Sequence, residues 1–171
     1  MIHSREARDK AHKILQMFSV KDAPVDVERI AKLLGFKVVP FDFPDSMSAV
    51  IRIEGSSKVI GVNKNHAVVR QRFSIGHELG HYLSGHENFT HEKKIVVEPD
   101  KKYLDPHYRQ EQEADEFSAE LLMPENLLKI DVMVNKLDPG SLATKYNVSE
   151  QAMMIQLLNL DLQINPIPLG E

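Results

Sequence analysis

"SIGHELGHYLSGHEN", residues 74–88, holds three of the chain's eight histidines within ten positions. His77 and His81 stand four apart, and Glu78 follows the first of them directly. An α-helix turns about 100° and rises about 1.5 Å per residue. Imidazoles at this spacing point only about 40° apart, one turn above the other, and can bind one ion. Glu78 lies about 60° beyond His81 around the same helix. It is placed to take a proton from water that such an ion holds, rather than to bind the ion itself. Phe73, Ile75, Leu79 and Leu83 give the stretch apolar residues to pack with. A helix from about Ala67 to Ser84, ended near Gly85, is expected.

A catalytic metal of this kind wants a third protein ligand and one open position. The chain has no cysteine, so disulfides and thiolate ligands are excluded and any metal must use His, Asp or Glu. The downstream stretch "YRQEQEADEFSAELLMP" reads as a helix stopped by Pro124. With Glu111 as the zero of its helical wheel, Ala114, Phe117, Ser118, Leu121 and Leu122 share one arc with it, and Asp115 lies just past the edge. Glu113, Glu116 and Glu120 point to the other side. A carboxylate on a core-facing arc is costly unless something pairs with it. Glu111 is therefore the candidate third ligand and Glu113 the reserve. Asp115 is a candidate acceptor for the far nitrogen of a ligand histidine, which would fix its tautomer. A solvated acidic helix face is the competing reading.

The 171 residues, 42% of them hydrophobic, suit one domain over 1–171. Residues 1–130 would carry the N-terminal helices, a sheet and the metal-site helices, and 131–171 a helical segment and tail. From Ser4 to Phe18, the residues Ala7, Ala11, Ile14, Leu15 and Phe18 recur at helical spacing. "PVDVERIAKLLGFKV" predicts a second helix, with Asp26 as N-cap and Gly35 as its stop. "FKVVPF", "SAVIRI" and "KVIGVN" read as strands, the last two a hairpin around "EGSS", which predicts a small antiparallel sheet. The stretch from His86 to Arg109 is charged and without a period, and reads as a long loop. Tyr103, His107, Tyr108 and Arg109 in it are candidate oxyanion donors or substrate contacts, and His86 an extra surface histidine. The fold class is α+β.

Net charge is −4, so no global basic field draws the chain onto nucleic acid or an anionic membrane. The start "MIHSREARDKAHK" lacks the apolar run of a signal peptide, and no stretch approaches the roughly 20 apolar residues that span a bilayer. A cytoplasmic location is expected. Near the end, "SLATKYNVSEQAMMIQLLNL" reads as helix, turn, helix. Its second helix, Glu150 to Leu160, has no Lys or Arg, although phosphate contacts need cations. Core packing is the first reading of Met153, Met154, Ile155, Leu157 and Leu158, a protein-docking surface the second, and DNA a poor third.

Taken together, "HELGHYLSGH" and "EQEADEFSAELLMP" resemble the ImmA/IrrE metallo-endopeptidases, whose pattern pairs an H-E-[LI]-G-H helix with E-x-x-A-[ND]-x-F-[AS]-x-x-L-L-M-P. Glu111, Ala114, Asp115, Phe117, Leu121, Leu122, Met123 and Pro124 all fit the second part. "RQRFSIGHELGH" is similar to the family's approach to the metal helix. The resemblance implies a zincin-like minimal metalloprotease with one Zn2+ per chain. His77, His81 and Glu111 would be its ligands, Glu78 its general base, and Asp115 the residue beside the third ligand. It also implies a bacterial setting and a protein substrate, a separate helix-turn-helix repressor of mobile-element or stress genes, with no direct nucleic-acid binding and no membrane. The metzincin layout does not fit, because Ser84 and Glu87 stand where it needs Gly and His.

Two rivals remain open on sequence. One is a catalytically silent, metal-containing partner-binding or sensor module, which has no need of Glu78. The other is an iron oxygenase, since two histidines and a carboxylate also bind Fe(II).

Overall fold

The computed structural model of the chain describes residues 5–86 and 106–162. Tyr103 lies outside them. The described residues form α1 (Arg5–Met17), α2 (Val27–Leu33), β1 (Lys37–Phe41), β2 (Ala49–Glu54), β3 (Ser57–Asn63), α3 (Val68–Ser84), α4 (Pro106–Leu122), α5 (Glu125–Met133), α6 (Pro139–Tyr146) and α7 (Glu150–Asn159). The α+β class read from the sequence holds. No helix among these residues is long and apolar enough to cross a membrane.

Local chemistry sets most of the boundaries. Asp26 accepts a hydrogen bond from the Arg29 backbone N–H at 2.9 Å and starts α2. Asp138 and Ser149 cap α6 and α7 in the same way. Helix α3 ends at Gly85, whose φ of +66° needs no Cβ to be accommodated. Helix α4 begins at Pro106, earlier than the loop expected through Arg109. Proline suits a first helical turn because the amide proton it lacks would have no partner there.

The sheet has the order β1-β3-β2. Strands β2 and β3 form the expected antiparallel hairpin, from Ala49↔Val62 to Glu54↔Ser57. Strand β1, however, pairs with β3 in parallel, from Lys37↔Val59 to Phe41↔Asn63. The sheet is thus mixed, not antiparallel. Alternation identifies strands but not the edge each takes. Here the chain crosses from β1 to the far edge before β2, and β3 returns between them. Buried Asn63 anchors the crossing, with its Nδ2 2.8 Å from the Met47 carbonyl and 3.2 Å from those of Phe43 and Pro44.

One apolar cluster joins the layers. It takes Ala11 and Leu15 from α1, Ile30 from α2, Ile60 and Val62 from β3, Ile75 and Leu79 from α3, and Phe117 and Leu121 from α4. Helices α3 and α4 share its most extensive contact. Their approach depends on small residues. A Cβ added to Gly80 would sit 2.9 Å from the Ala114 Cα, and one added to Gly76 would meet Ser118. The Ser118 hydroxyl also donates to the Phe73 carbonyl at 2.8 Å, fastening the two helices.

At Glu120 the far side of α4 is covered rather than solvated. Glu120 is fully buried. It accepts from the Glu125 backbone N–H at 2.8 Å, lies 2.8 Å from His12 of α1, and meets Gln156 of α7 at 3.3 Å. Burial pushes its carboxyl above the usual range. Its predicted outward direction was right for the helix alone, but α1 and α7 fill that side. Asp131 of α5 makes a second buried node, accepting from the Tyr146 hydroxyl at 2.8 Å, Lys145 at 2.6 Å and Asn135 at 2.7 Å. On α7, Met153 and Leu157 face the core, as the core-packing reading expects, whereas Met154, Ile155 and Leu158 are exposed. Arg72 of α3 ties this end down by donating to the carbonyls of Asn147 and Val25.

Candidate metal centre

The Gly–Ala/Ser seam brings α4 close enough for its carboxylates to reach α3. One donor atom each from His77, His81 and Glu111 lies within 4.8 Å of the other two, a group that could hold a metal ion. The Nε2 atoms of His77 and His81 face each other at 2.9 Å. Glu111 straddles them, with Oε2 3.4 Å from His77 Nε2 and Oε1 3.3 Å from His81 Nε2. The carboxylate meets the two rings through different oxygens, and this set of two imidazoles and one carboxylate is chemically suited to a divalent metal cation.

Electrostatics point the same way. Burial disfavours charge on His77, but Asp115 and Glu111 outweigh it and raise the pKa of this imidazole to about 10. Burial likewise opposes ionisation of Glu111, yet the two histidines hold its carboxyl well below the usual carboxylate range. The two carboxylates beside His77 give the pocket a negative field, and that field favours a metal cation.

Around these three, His77 Nδ1–H donates to Asp115 Oδ1 at 2.8 Å. Asp115 sits one helical turn after Glu111, so a single face of α4 offers both carboxylates. Glu78 is 2% exposed on the inner side of α3, next to His77 in sequence. Of the remaining candidates, His107 lies one turn before Glu111, with Nδ1 3.6 Å from Glu111 Oε1. The Tyr108 hydroxyl accepts from Gln112 at 3.3 Å, and Arg109 points outward on the first turn of α4.

Two features escaped the sequence reading. His86, expected on the surface, is 8% exposed. Its Nδ1 lies 2.9 Å from His81 Nδ1, and its Nε2 lies 3.1 Å from Glu113 Oε2. The cause is the end of α3. With Gly85 left-handed, the His86 backbone N–H bonds back to the His81 carbonyl at 3.1 Å and folds the residue over the last turn. Burial lowers the pKa of His86, with Glu113 opposing. The signal was present as a histidine directly after a capping glycine. Glu113 consequently meets His86 rather than standing as a reserve ligand. The second missed feature is the pair Gly76/Gly80 against Ala114/Ser118, legible only as two four-residue spacings of small residues.

Comparison with known proteins adds three findings. The profile of the IrrE N-terminal-like domain, Peptidase_M78, matches residues 31–158. A solved structure titled Mycobacterium tuberculosis transcriptional regulator has a similar fold, with a TM-score of 0.67 and 16% identity over 91% of this chain and 47% of that one. The chain thus spans about half the length of that regulator. No curated protein matches it.

Proposed function

Because the chain belongs to the Peptidase_M78 family through its IrrE N-terminal-like domain, we propose that it is a zinc-dependent endopeptidase that cuts a peptide bond in a protein substrate. The observation that carries this reading is the meeting of His77, His81 and Glu111 across two helices, with buried Glu78 adjoining the first. In this reading His77, His81 and Glu111 hold one Zn2+, and Asp115 keeps the Nδ1 proton of His77 so that Nε2 stays free to bind. Zinc, when bound, supplies a Lewis acid that polarises the scissile carbonyl and acidifies water. Glu78 takes the proton of the attacking water and delivers it to the leaving amide nitrogen. Strand β2, at an edge of the sheet, fits an extended substrate held by main-chain hydrogen bonds. His107, beside Glu111, is the candidate donor to the developing oxyanion.

The substrate we assign is a separate helix-turn-helix repressor in the bacterial cytoplasm. The family resemblance supports this, and so does the likeness to a chain titled a transcriptional regulator. The same title favours a second reading, a metal-containing sensor or docking module without catalysis. Glu78 discriminates the two. Purified protein should carry about one zinc per chain, and Glu78→Gln should retain it while cleavage of the repressor, followed by mass, stops. Cleavage at the parent rate by that variant, or cleavage that survives chelation, would rule out the proposed chemistry.

A further inference from the structure

Each of the two histidines at the centre has its far nitrogen met from α4, but by different routes. His77 Nδ1 reaches Asp115 directly at 2.8 Å. His81 Nδ1 instead faces His86 Nδ1 at 2.9 Å, and His86 Nε2 lies 3.1 Å from Glu113 Oε2. Both contacts are sheltered, since His81 is 6% and His86 8% exposed.

Resting on the metal-site reading above, we propose that His86 and Glu113 are positioning residues that fix the tautomer and ring orientation of His81 through a two-step hydrogen-bonded chain. The donor and acceptor pattern has one consistent solution. If His81 offers the Nε2 lone pair to an ion, its proton sits on Nδ1 and needs an acceptor. His86 Nδ1 can accept only when the His86 proton is on Nε2. Glu113, acceptor-only as a carboxylate, holds it there. The opposite tautomer of His86 would set two N–H groups against each other at 2.9 Å and turn a lone pair toward a carboxylate. The Gly85 cap keeps this arrangement together, because the backbone bond from His86 to the His81 carbonyl fixes where the second ring stands. The chain therefore supports both proposed histidine ligands with carboxylates from one helix, Asp115 directly and Glu113 through an intervening imidazole. Such outer partners orient the ligand and raise its basicity.

The test is zinc affinity, measured by competition with a chromogenic chelator on the full chain. His86→Phe keeps an aromatic ring but removes the acceptor, and should weaken zinc binding about 10–100-fold. His86→Gln should restore it to within a few-fold, because its amide oxygen can accept from His81 while its NH2 donates to Glu113. In the zinc-loaded parent, 15N–1H correlation of the imidazoles should report His86 as the Nε2–H tautomer, a preference that Glu113→Leu erases. A purely packing role predicts the reverse ranking, with Phe tolerated and Gln harmful. That ranking, or a parent His86 in the Nδ1–H form, would overturn the proposal while leaving the metal site intact. A parent that binds no zinc would overturn both. If His86→Phe fails to fold, the Gln variant and the tautomer spectrum still decide.

Discussion

Asp115 and Glu78 are both carboxylates near His77, yet the protein uses their surroundings to give them opposite tasks. Asp115 is well exposed on α4 and accepts from His77 Nδ1 at 2.8 Å. Its proposed contribution is orientation, so Asp115→Ala should weaken zinc binding about 10–100-fold without unfolding the chain. Isothermal titration with zinc would check this, and an unchanged dissociation constant would show that the contact is incidental. Glu78 is buried on α3 and stands outside the group of three that could hold an ion. Its substitution by Gln should therefore separate the two functions, leaving stoichiometry near one zinc and lowering turnover by at least about 100-fold. The motif H-E-x-x-H was fully legible as residues, and so was the acidic pair one turn apart on the second helix. His86 was not, because its burial comes from a backbone reversal at Gly85 that no side-chain period encodes.

At the scale of elements, the centre depends on how near α3 and α4 lie. Gly80 stands against the Ala114 backbone, and Glu111 projects from the turn just before Ala114. Gly80→Ala would place a methyl 2.9 Å from the Ala114 Cα, which is backbone and can give way only if the helices part. Overpacking of this kind costs about 1–3 kcal/mol, partly offset by the better helix propensity of alanine. The larger expected effect is on the metal, because separation moves Glu111 away from both histidines. Gly35→Ala provides the contrast. Its φ of +87° makes alanine strained by about 1 kcal/mol, but nothing lies within 4 Å of the added methyl. Thermal unfolding of the metal-free proteins should show both losses, while zinc competition should show a loss only for Gly80→Ala. Equal zinc affinity in the two variants would remove the seam from the account of the site. Sequence reading placed both helices and their polar faces, but helical wheels describe each rod alone and say nothing about the gap between rods.

For the whole molecule, the C-terminal helices are held by polar anchors as well as by apolar packing. Asp131 is nearly fully buried beneath Tyr146, Lys145 and Asn135. Burial alone would raise its carboxyl, but those three partners win and hold it below the ordinary value. A carboxyl lowered on folding adds stability that is complete above its unfolded pKa of about 3.9 and is lost as pH falls through the folded value. Asp131→Asn should therefore cost about 1–2 kcal/mol at pH 7, where a charge-assisted bond to the buried Tyr146 hydroxyl becomes a neutral one. Half-exposed Lys145 adds less, since water screens it. The melting temperature should drop by about 3–6 °C at pH 7, and the gap between variant and parent should close below about pH 4. A gap that stays constant from pH 7 to pH 3 would exclude Asp131 as the source.

From residue order alone came the helices, the Asp26 cap and the Gly35 and Gly85 stops, the three strands, the hairpin, and the direction of Glu111 and Asp115 on their own helix. These follow from periods of 3.6 and 2 and from short-range hydrogen bonding, which act over a few residues. Tertiary structure alone decided that β1 runs parallel beside β3, that Glu120 and His86 are covered, and that Glu111 meets His77 and His81. Those outcomes depend on how closely separate backbones approach. That spacing is set by the volumes at the contact, here Gly76 and Gly80 against Ala114 and Ser118, summed over partners far apart in the chain.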